Sequence, residues 1–374
     1  RGADPVAEND SDGEYLYAVA ELWRHTRDRA FLERHWPRVQ RVVAHQEALR
    51  QSERGAANRT PGRAHLFGLM PPSISHEGYS DKPAYSYWDD FWALRGYKDA
   101  VVIARALGHE AQAAAWAGWR DEFERELSQS ISAAAARYGT GVIPGAADRG
   151  DFDPTSTSMA LDPAQADVPP ELLLATFDRY WQETVARAEG LRDWQDCTPY
   201  ELRNVGAFVR LGWPERAHAL LNWFFGHRRP AGWNQWAEVV LPDARRVRFL
   251  GDMPHAWVSS DYIRSALDLF AYERESDDAL VVGAGLDARW LRHPIEVQGL
   301  STAHGRLGLR LWPVEGGWTL QISSRLAPMR GGIRLMWPGE GPLPRATIDG
   351  RTVAWHDREL PIPSSPALVQ LRNR

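Results

Sequence analysis

Two adjacent aspartates, Asp89 and Asp90, stand in the run Tyr87-Trp88-Asp89-Asp90-Phe91-Trp92, which opens an amphipathic helix after a long loop. Carboxyl groups among aromatics near a helix start can have their proton affinities driven apart. Apolar burial raises a pKa and the helix N-terminus lowers it, and a general acid needs such tuning. The plain alternative is that both aspartates complement the helix dipole. The loop Gly68–Tyr79 before this helix adds Glu77 as a candidate binding residue, with Trp88 and Trp92 as candidate stacking surfaces.

A second constellation is Gly232-Trp233-Asn234-Gln235-Trp236-Ala237-Glu238. Amides and carboxylates hydrogen-bond sugar hydroxyls while indoles stack on the apolar faces of sugar rings. Trp233, Gln235 and Trp236 are therefore candidate binding residues, and Glu238 is the leading candidate for a base that holds a water. A third run, Gly251 to Tyr262, places His255, Trp257 and Asp261 around another helix start. Here the histidine could meet a hydroxyl or, in a phosphorolytic enzyme, a phosphate, and capping and packing are the alternative role. Tyr200-Glu201-Leu202-Arg203-Asn204 and Asp151–Thr157 are further polar candidates or caps, with Arg203 and Asn204 counted as sugar ligands.

The acidic run Glu8–Glu14 looks at first like a calcium loop. Counting from Glu8, the twelfth position is Val19 where an EF-hand needs Glu, so the motif fails and no metal is expected. No P-loop, dinucleotide fingerprint, His-Glu-x-x-His pair or Gly-x-Ser-x-Gly elbow is present, and carboxylate chemistry needs no cofactor. The sole cysteine, Cys197, excludes an intrachain disulfide.

The elements that would hold these residues are of two textures. Residues 14 to about 270 read as helical hairpins, with helices expected at about 14–23, 29–50, 85–107, 110–135, 170–187, 199–211, 214–225 and 257–272. Long loops at 51–83, 138–154 and 227–254 carry nearly all the motifs, and loops of this length in a compact domain are usually functional. After Glu275, short alternating runs between Gly and Pro turns read as an antiparallel β-sandwich. The expected division is a helical catalytic domain over 1–275 and a sandwich over 276–374. With 18 Trp among 374 residues, most indoles fill core, and the surplus suits a saccharide groove. A formal charge of -5 argues against a nucleic-acid partner, and no apolar run is long enough to span a membrane.

The run Glu8–Val19, the Trp88-Asp89-Asp90-Phe91-Trp92 helix ending at Gly108, and Asp252-Met-Pro-His-Ala-Trp257 resemble bacterial members of the six-hairpin glycosidase superfamily. The resemblance covers most of residues 8–274, and the terminal segment is similar to the β-sandwich that follows the toroid in rhamnosidases and disaccharide phosphorylases. It implies an (α/α)6 toroid of twelve helices in two rings, and hydrolysis with inversion by one acid and one base. In glucoamylase-like members the acid lies in a Trp-Glu-Glu stretch at a helix start. The carry-over favours Asp89 as acid with Asp90 close behind, each an aspartate where that family has glutamate, and Glu238 as base by loop position. An inverting pair would stand roughly 6.5–9.5 Å apart to admit a water. Eight or nine helices can be placed where twelve are expected, which implies first hairpins in an N-terminal remainder of a longer chain. The expected substrate is an oligosaccharide or polysaccharide, the expected setting periplasmic or secreted with the cytoplasm left open. A polysaccharide lyase using Tyr200, Arg203, Asn204 and His255, a phosphorylase, and a non-catalytic sugar-binding protein are the alternatives.

Overall fold

The computed structural model describes residues 8–75, 78–79, 81–192, 197–243, 245–246 and 250–373. The chain divides into two compact units, Arg1–Gln182 and Glu183–Arg374.

In the first unit, α1 (Ser11–Thr26) and α2 (Arg29–Ser52) form a hairpin. Arg27 turns the chain in the left-handed region at φ 57°, and the Asp28 carboxylate accepts the Phe31 amide proton at the head of α2. Leu32, Val39, Val43, Gln46 and Arg50 recur at helical spacing and give α2 its buried face. A second hairpin joins α3 (Tyr87–Leu107) to α4 (Glu110–Tyr138) through Gly108, whose φ of 82° suits glycine at a helix end. Nearly every residue of α3 is buried, so it is the unit's central helix. Contact with α1 is close enough to require glycine, since a Cβ on Gly13 would lie 2.0 Å from the Trp92 carbonyl oxygen. Helix α5 (Pro154–Leu161) and the larger part of helix α6 (Pro170–Ala188), up to Gln182, complete the set. The sequence gives no helical period for α5. Its turn is fixed by Asp153, which accepts the Thr155 and Ser156 amides, and by Pro154 at the first position.

The second unit holds α7 (Arg203–Arg210), α8 (Pro214–Gly226) and α9 (Ala256–Asp268), then the strands. In order these are β1 (Ala271–Arg274), β2 (Ala279–Val282), β3 (Ile295–Thr302), β4 (Gly305–Val314), β5 (Gly317–Ile322), β6 (Gly332–Met336), β7 (Arg345–Ile348), β8 (Arg351–Val353), β9 (Glu359–Ile362) and β10 (Ala367–Arg372). They make a four-stranded sheet, β1-β2-β6-β9, and a six-stranded sheet, β3-β4-β5-β10-β7-β8. Inward residues of both sheets share one core, from Leu280 and Ile333 to Leu309, Leu320 and Val369.

Two details differ from the sequence reading. Residues 271 and 272 are strand rather than the end of a helix, because β1 pairs with β2 from Ala271↔Val282 to Arg274↔Ala279. The β2–β6 pair is parallel within an otherwise antiparallel set, because the chain leaves β2, builds β3 to β5 in the other sheet, and re-enters beside β2 in the same direction. Among the described residues there are nine α-helices, and none is long and apolar enough to cross a membrane.

Candidate functional site

In the first unit the chemistry gathers under α3. Asp89 and Asp90, read from sequence as paired acids at a helix start, are both fully buried. Ser73 donates its hydroxyl to Asp89 Oδ2 at 2.6 Å, and Ser75 donates to Asp89 Oδ1 at 3.1 Å. The Met70 amide donates to Asp90 Oδ1 at 2.8 Å, while Asp90 Oδ2 has no hydrogen-bond partner. Loop 69–75 therefore lies over the helix start and seals both carboxyls. Burial pushes the Asp90 pKa up to about 8, against a smaller opposing effect of the Met70 amide. Burial also raises Asp89 well above the carboxylate range, reinforced by the nearby Asp10 charge, while the Ser73 hydroxyl acts in the opposite direction. Asp90 is thus a carboxylic acid, not a carboxylate, at neutral pH.

The acidic run that fails as a calcium loop finds its use here. Asp10 is buried and accepts the Trp88 indole N–H at 2.9 Å, Asn9 donates to the Pro71 carbonyl at 2.8 Å, and Asp12 pairs with His45 at 2.5 Å. Trp88 and Trp92, expected to stack on sugar, are instead packed in the core, where the closeness of α1 leaves their rings no open face. The Trp92 indole N–H has no acceptor. Glu77 lies outside the described residues.

The second unit builds a different cluster. The Tyr200 hydroxyl meets His255 Nε2 at 3.1 Å, and the two rings are edge-to-face at 5.2 Å. Arg203 is fixed by donating from Nε (3.1 Å) and a terminal nitrogen (2.7 Å) to Asp261 Oδ2, with its guanidinium over the Tyr200 and Trp257 rings. Burial raises the Asp261 pKa, with the Arg203 charge opposing. His255 Nδ1 is buried without a partner, and Asn204 is fully buried with neither amide atom bonded. Orphaned buried amides are costly, by about 1–3 kcal/mol each, so Asn204 is a position where polar company is wanted.

Glu238 is held beside this cluster by backbone. Its amide donates to the Asp252 carbonyl (3.0 Å), Thr198 donates to the Glu238 carbonyl (2.9 Å), and Val240 bridges both Cys197 and Leu250. The ladder places Glu238 against chain segments that reach Tyr200 and His255 two and three residues further on. The Glu238 side chain is half-buried and makes no hydrogen bond or ion pair among the described residues. Of the indoles here, Trp236 is a core residue, donating to the Phe224 carbonyl at 2.9 Å and packing on Phe225 and Tyr262. Trp233 is 64% exposed; Trp257, 39% exposed, carries the Arg203 guanidinium and meets the Tyr200 ring edge-to-face, and Gln235 is half-buried.

The structure thus brings together Tyr200, Arg203, His255, Trp257 and Asp261, and separately Asp10, Asp89 and Asp90. Sequence reasoning missed Ser73 and Ser75, for which the only signal was two hydroxyls at i and i+2 in a loop preceding paired acids. It also missed Thr198 as the anchor of the Glu238 ladder.

No protein-family model matches the chain, and no curated protein matches it. Among solved structures, it is similar to an alpha-L-rhamnosidase from Dictyoglumus thermophilum, with a TM-score of 0.54 and 9% identity, covering 96% of this chain and 39% of that one. It is also similar to a GH78 family rhamnosidase of Bacillus sp. GL1, with a TM-score of 0.52 and 13% identity, covering 90% of this chain and 34% of that one. The chain therefore spans little more than a third of either neighbour, and at these identities what it shares with the corresponding part of the two rhamnosidases is the fold.

Proposed function

We propose that this chain carries the sugar site of a glycoside hydrolase acting on an oligosaccharide or polysaccharide, with an α-L-rhamnoside as the first substrate to try. The observation that carries the reading is Glu238, a half-buried carboxylate without a side-chain partner among the described residues, on a backbone ladder beside a polar cluster and in the same run as the exposed Trp233. In this reading Glu238 takes the proton of a water as it attacks the anomeric carbon, and a carboxylic acid donates to the leaving oxygen. The candidate proton donor is Asp89, with Asp90 the alternative, since burial raises the pKa of both. Donation to a sugar oxygen requires the Ser73–Ser75 stretch to leave Asp89, so substrate would replace the serine hydroxyls. Tyr200, Arg203, Asn204, His255, Trp233 and Trp257 bind and orient the sugar. The fold likeness to rhamnosidases supports this assignment. The toroid and the 1–275/276–374 division belong to the same proposal.

Glu238→Gln is expected to lower kcat on a cleaved rhamnoside by about 10²–10⁴-fold. Because the side chain has no partner, its stability change should stay within about 0.5 kcal/mol. Unchanged kcat in a folded variant would remove Glu238 from the mechanism.

The contact between Tyr200 and His255 favours one second reading, a lyase in which this pair draws off the proton beside a uronate carboxylate and the glycosidic oxygen leaves. Tyr200→Phe would then abolish an unsaturated, ultraviolet-absorbing product. In the hydrolase reading no such product forms, and Tyr200→Phe weakens sugar binding by about 0.5–1.5 kcal/mol through one lost hydrogen bond. Turnover that required phosphate would instead indicate a phosphorylase.

A further inference from the structure

Most arginines near these clusters have a carboxylate partner: Arg24, Arg50, Arg54, Arg95, Arg187, Arg203, Arg210 and Arg274 all do. Four arginines that flank Glu238 in the chain do not. Arg228, Arg229, Arg245 and Arg246 pair with no acidic side chain among the described residues. The stretch 227–246 that holds them has only Glu238 and Asp243 as acids, in a chain whose formal charge is -5.

Their placement is ordered. Arg228 donates to the Phe225 carbonyl (3.1 Å) and to Asn234 Oδ1 (2.6 Å), with its guanidinium over the Phe225 ring. Asn234 is the residue after Trp233, so this cation is tied to the segment bearing the open indole. Arg229 donates to the Gly226 (3.4 Å) and Arg228 (3.0 Å) carbonyls. Arg245 and Arg246 are exposed and follow Asp243, whose carboxylate accepts the Arg245 amide and whose carbonyl accepts the Arg246 amide. They lie in the loop that leaves the Glu238 ladder at Val240 and rejoins it at Leu250. These cations without a carboxylate partner thus flank Glu238 before and after it in the chain.

We infer that this arginine rim engages a saccharide bearing carboxylate groups, with one of its rings seated on Trp233. Guanidinium groups without carboxylate partners are matched by carboxylates from a ligand, and an indole matches the apolar face of a sugar ring. Nucleic acid offers the same negative charge, but an exposed indole in the same stretch, on an acidic chain, favours a uronate polymer. This deepens the proposed function and rests on it for Glu238 and Trp233 facing the sugar.

The test is retention of the whole chain on immobilised polygalacturonate, against its methyl-esterified form and duplex DNA, beside Arg245→Glu/Arg246→Glu and Trp233→Ala variants. Retention on polygalacturonate alone is expected, weakened by added salt. Charge reversal of both exposed arginines should weaken it about tenfold or more. Equal retention on the esterified polymer, equal retention on DNA, no retention, or an unchanged double variant would each overturn the inference. Turnover is read separately. Cleavage of a neutral rhamnoside without charge-dependent retention sinks only this inference, and charge-dependent retention without turnover of any sugar sinks only the hydrolase.

Discussion

Arg50→Ala is expected to destabilise the first unit by about 3–5 kcal/mol, the cost of leaving buried charges uncompensated. The Arg50 side chain is wholly buried and reaches Glu47 (3.2 Å), Glu122 (2.8 Å) and Glu126 (2.8 Å), so α2 and α4 are joined through one guanidinium. Tyr97 of α3 donates to Glu47 at 2.5 Å, and Arg54 pairs with both Glu122 and Glu126. Arg54 cannot replace Arg50, because Glu47 would remain buried with only a phenol and an amide against it. Arg50→Lys keeps the charge but not the fork that reaches three carboxylates, and should fall between wild type and Arg50→Ala. The network also bears on the carboxyl site, since a Cβ on Gly68 would lie 2.2 Å from Glu126 Oε2. Loop 69–75, which bonds Asp89 and Asp90, therefore starts against this cluster. Urea unfolding followed through the first unit checks the value, and a loss below about 1 kcal/mol would show that the network does not hold the helices together.

Asp90→Asn should change how stability depends on pH. The Asp90 pKa is raised to about 8 in the native chain, against about 3.9 in the unfolded one. Between these values the native state holds a proton that the unfolded state has lost. The contribution of protonated Asp90 is fully present below about pH 4 and is lost as pH rises through about 8, so wild-type stability falls across that window. A gap of this size corresponds to as much as about 5 kcal/mol. Asparagine imitates the neutral acid, keeps an acceptor for the Met70 amide, and does not titrate. The variant should lie within about 1 kcal/mol of wild type at pH 4 and overtake it by several kcal/mol at pH 8. Parallel stability curves for the two proteins would mean that Asp90 is ionised in the native chain.

The first four helices were legible because their apolar residues recur at helical spacing between clear caps, such as Asp28 and Gly108. Helix α5 was not, because Thr155-Ser156-Thr157-Ser158 carries no apolar period and is helical by capping and burial. Strand β1 was hidden because Leu267, Phe270 and Ala271 continue the spacing of α9, and only pairing with β2 reveals the change. Strand β9 contains Pro361, which is tolerated at the sheet edge it occupies. At the site, paired acids among aromatics suggested pKa values driven apart, whereas burial raises both. Their seclusion could not be read, because it depends on Ser73 and Ser75 reaching back to α3. Nor does residue type separate a core indole from an open one: Trp236 and Trp233 stand three apart in one run, and only the first finds an acceptor and a packed niche.

The most direct test of the glycosidase assignment is proton NMR of the anomeric signals while the protein, within its longest natural chain, acts on a synthetic α-L-rhamnoside and on rhamnose-bearing polysaccharides. The account predicts release of rhamnose first in the β configuration, lost in Glu238→Gln and in Asp89→Asn or Asp90→Asn variants that remain folded. Binding without release of any sugar, or release that persists unchanged in Glu238→Gln, would contradict it.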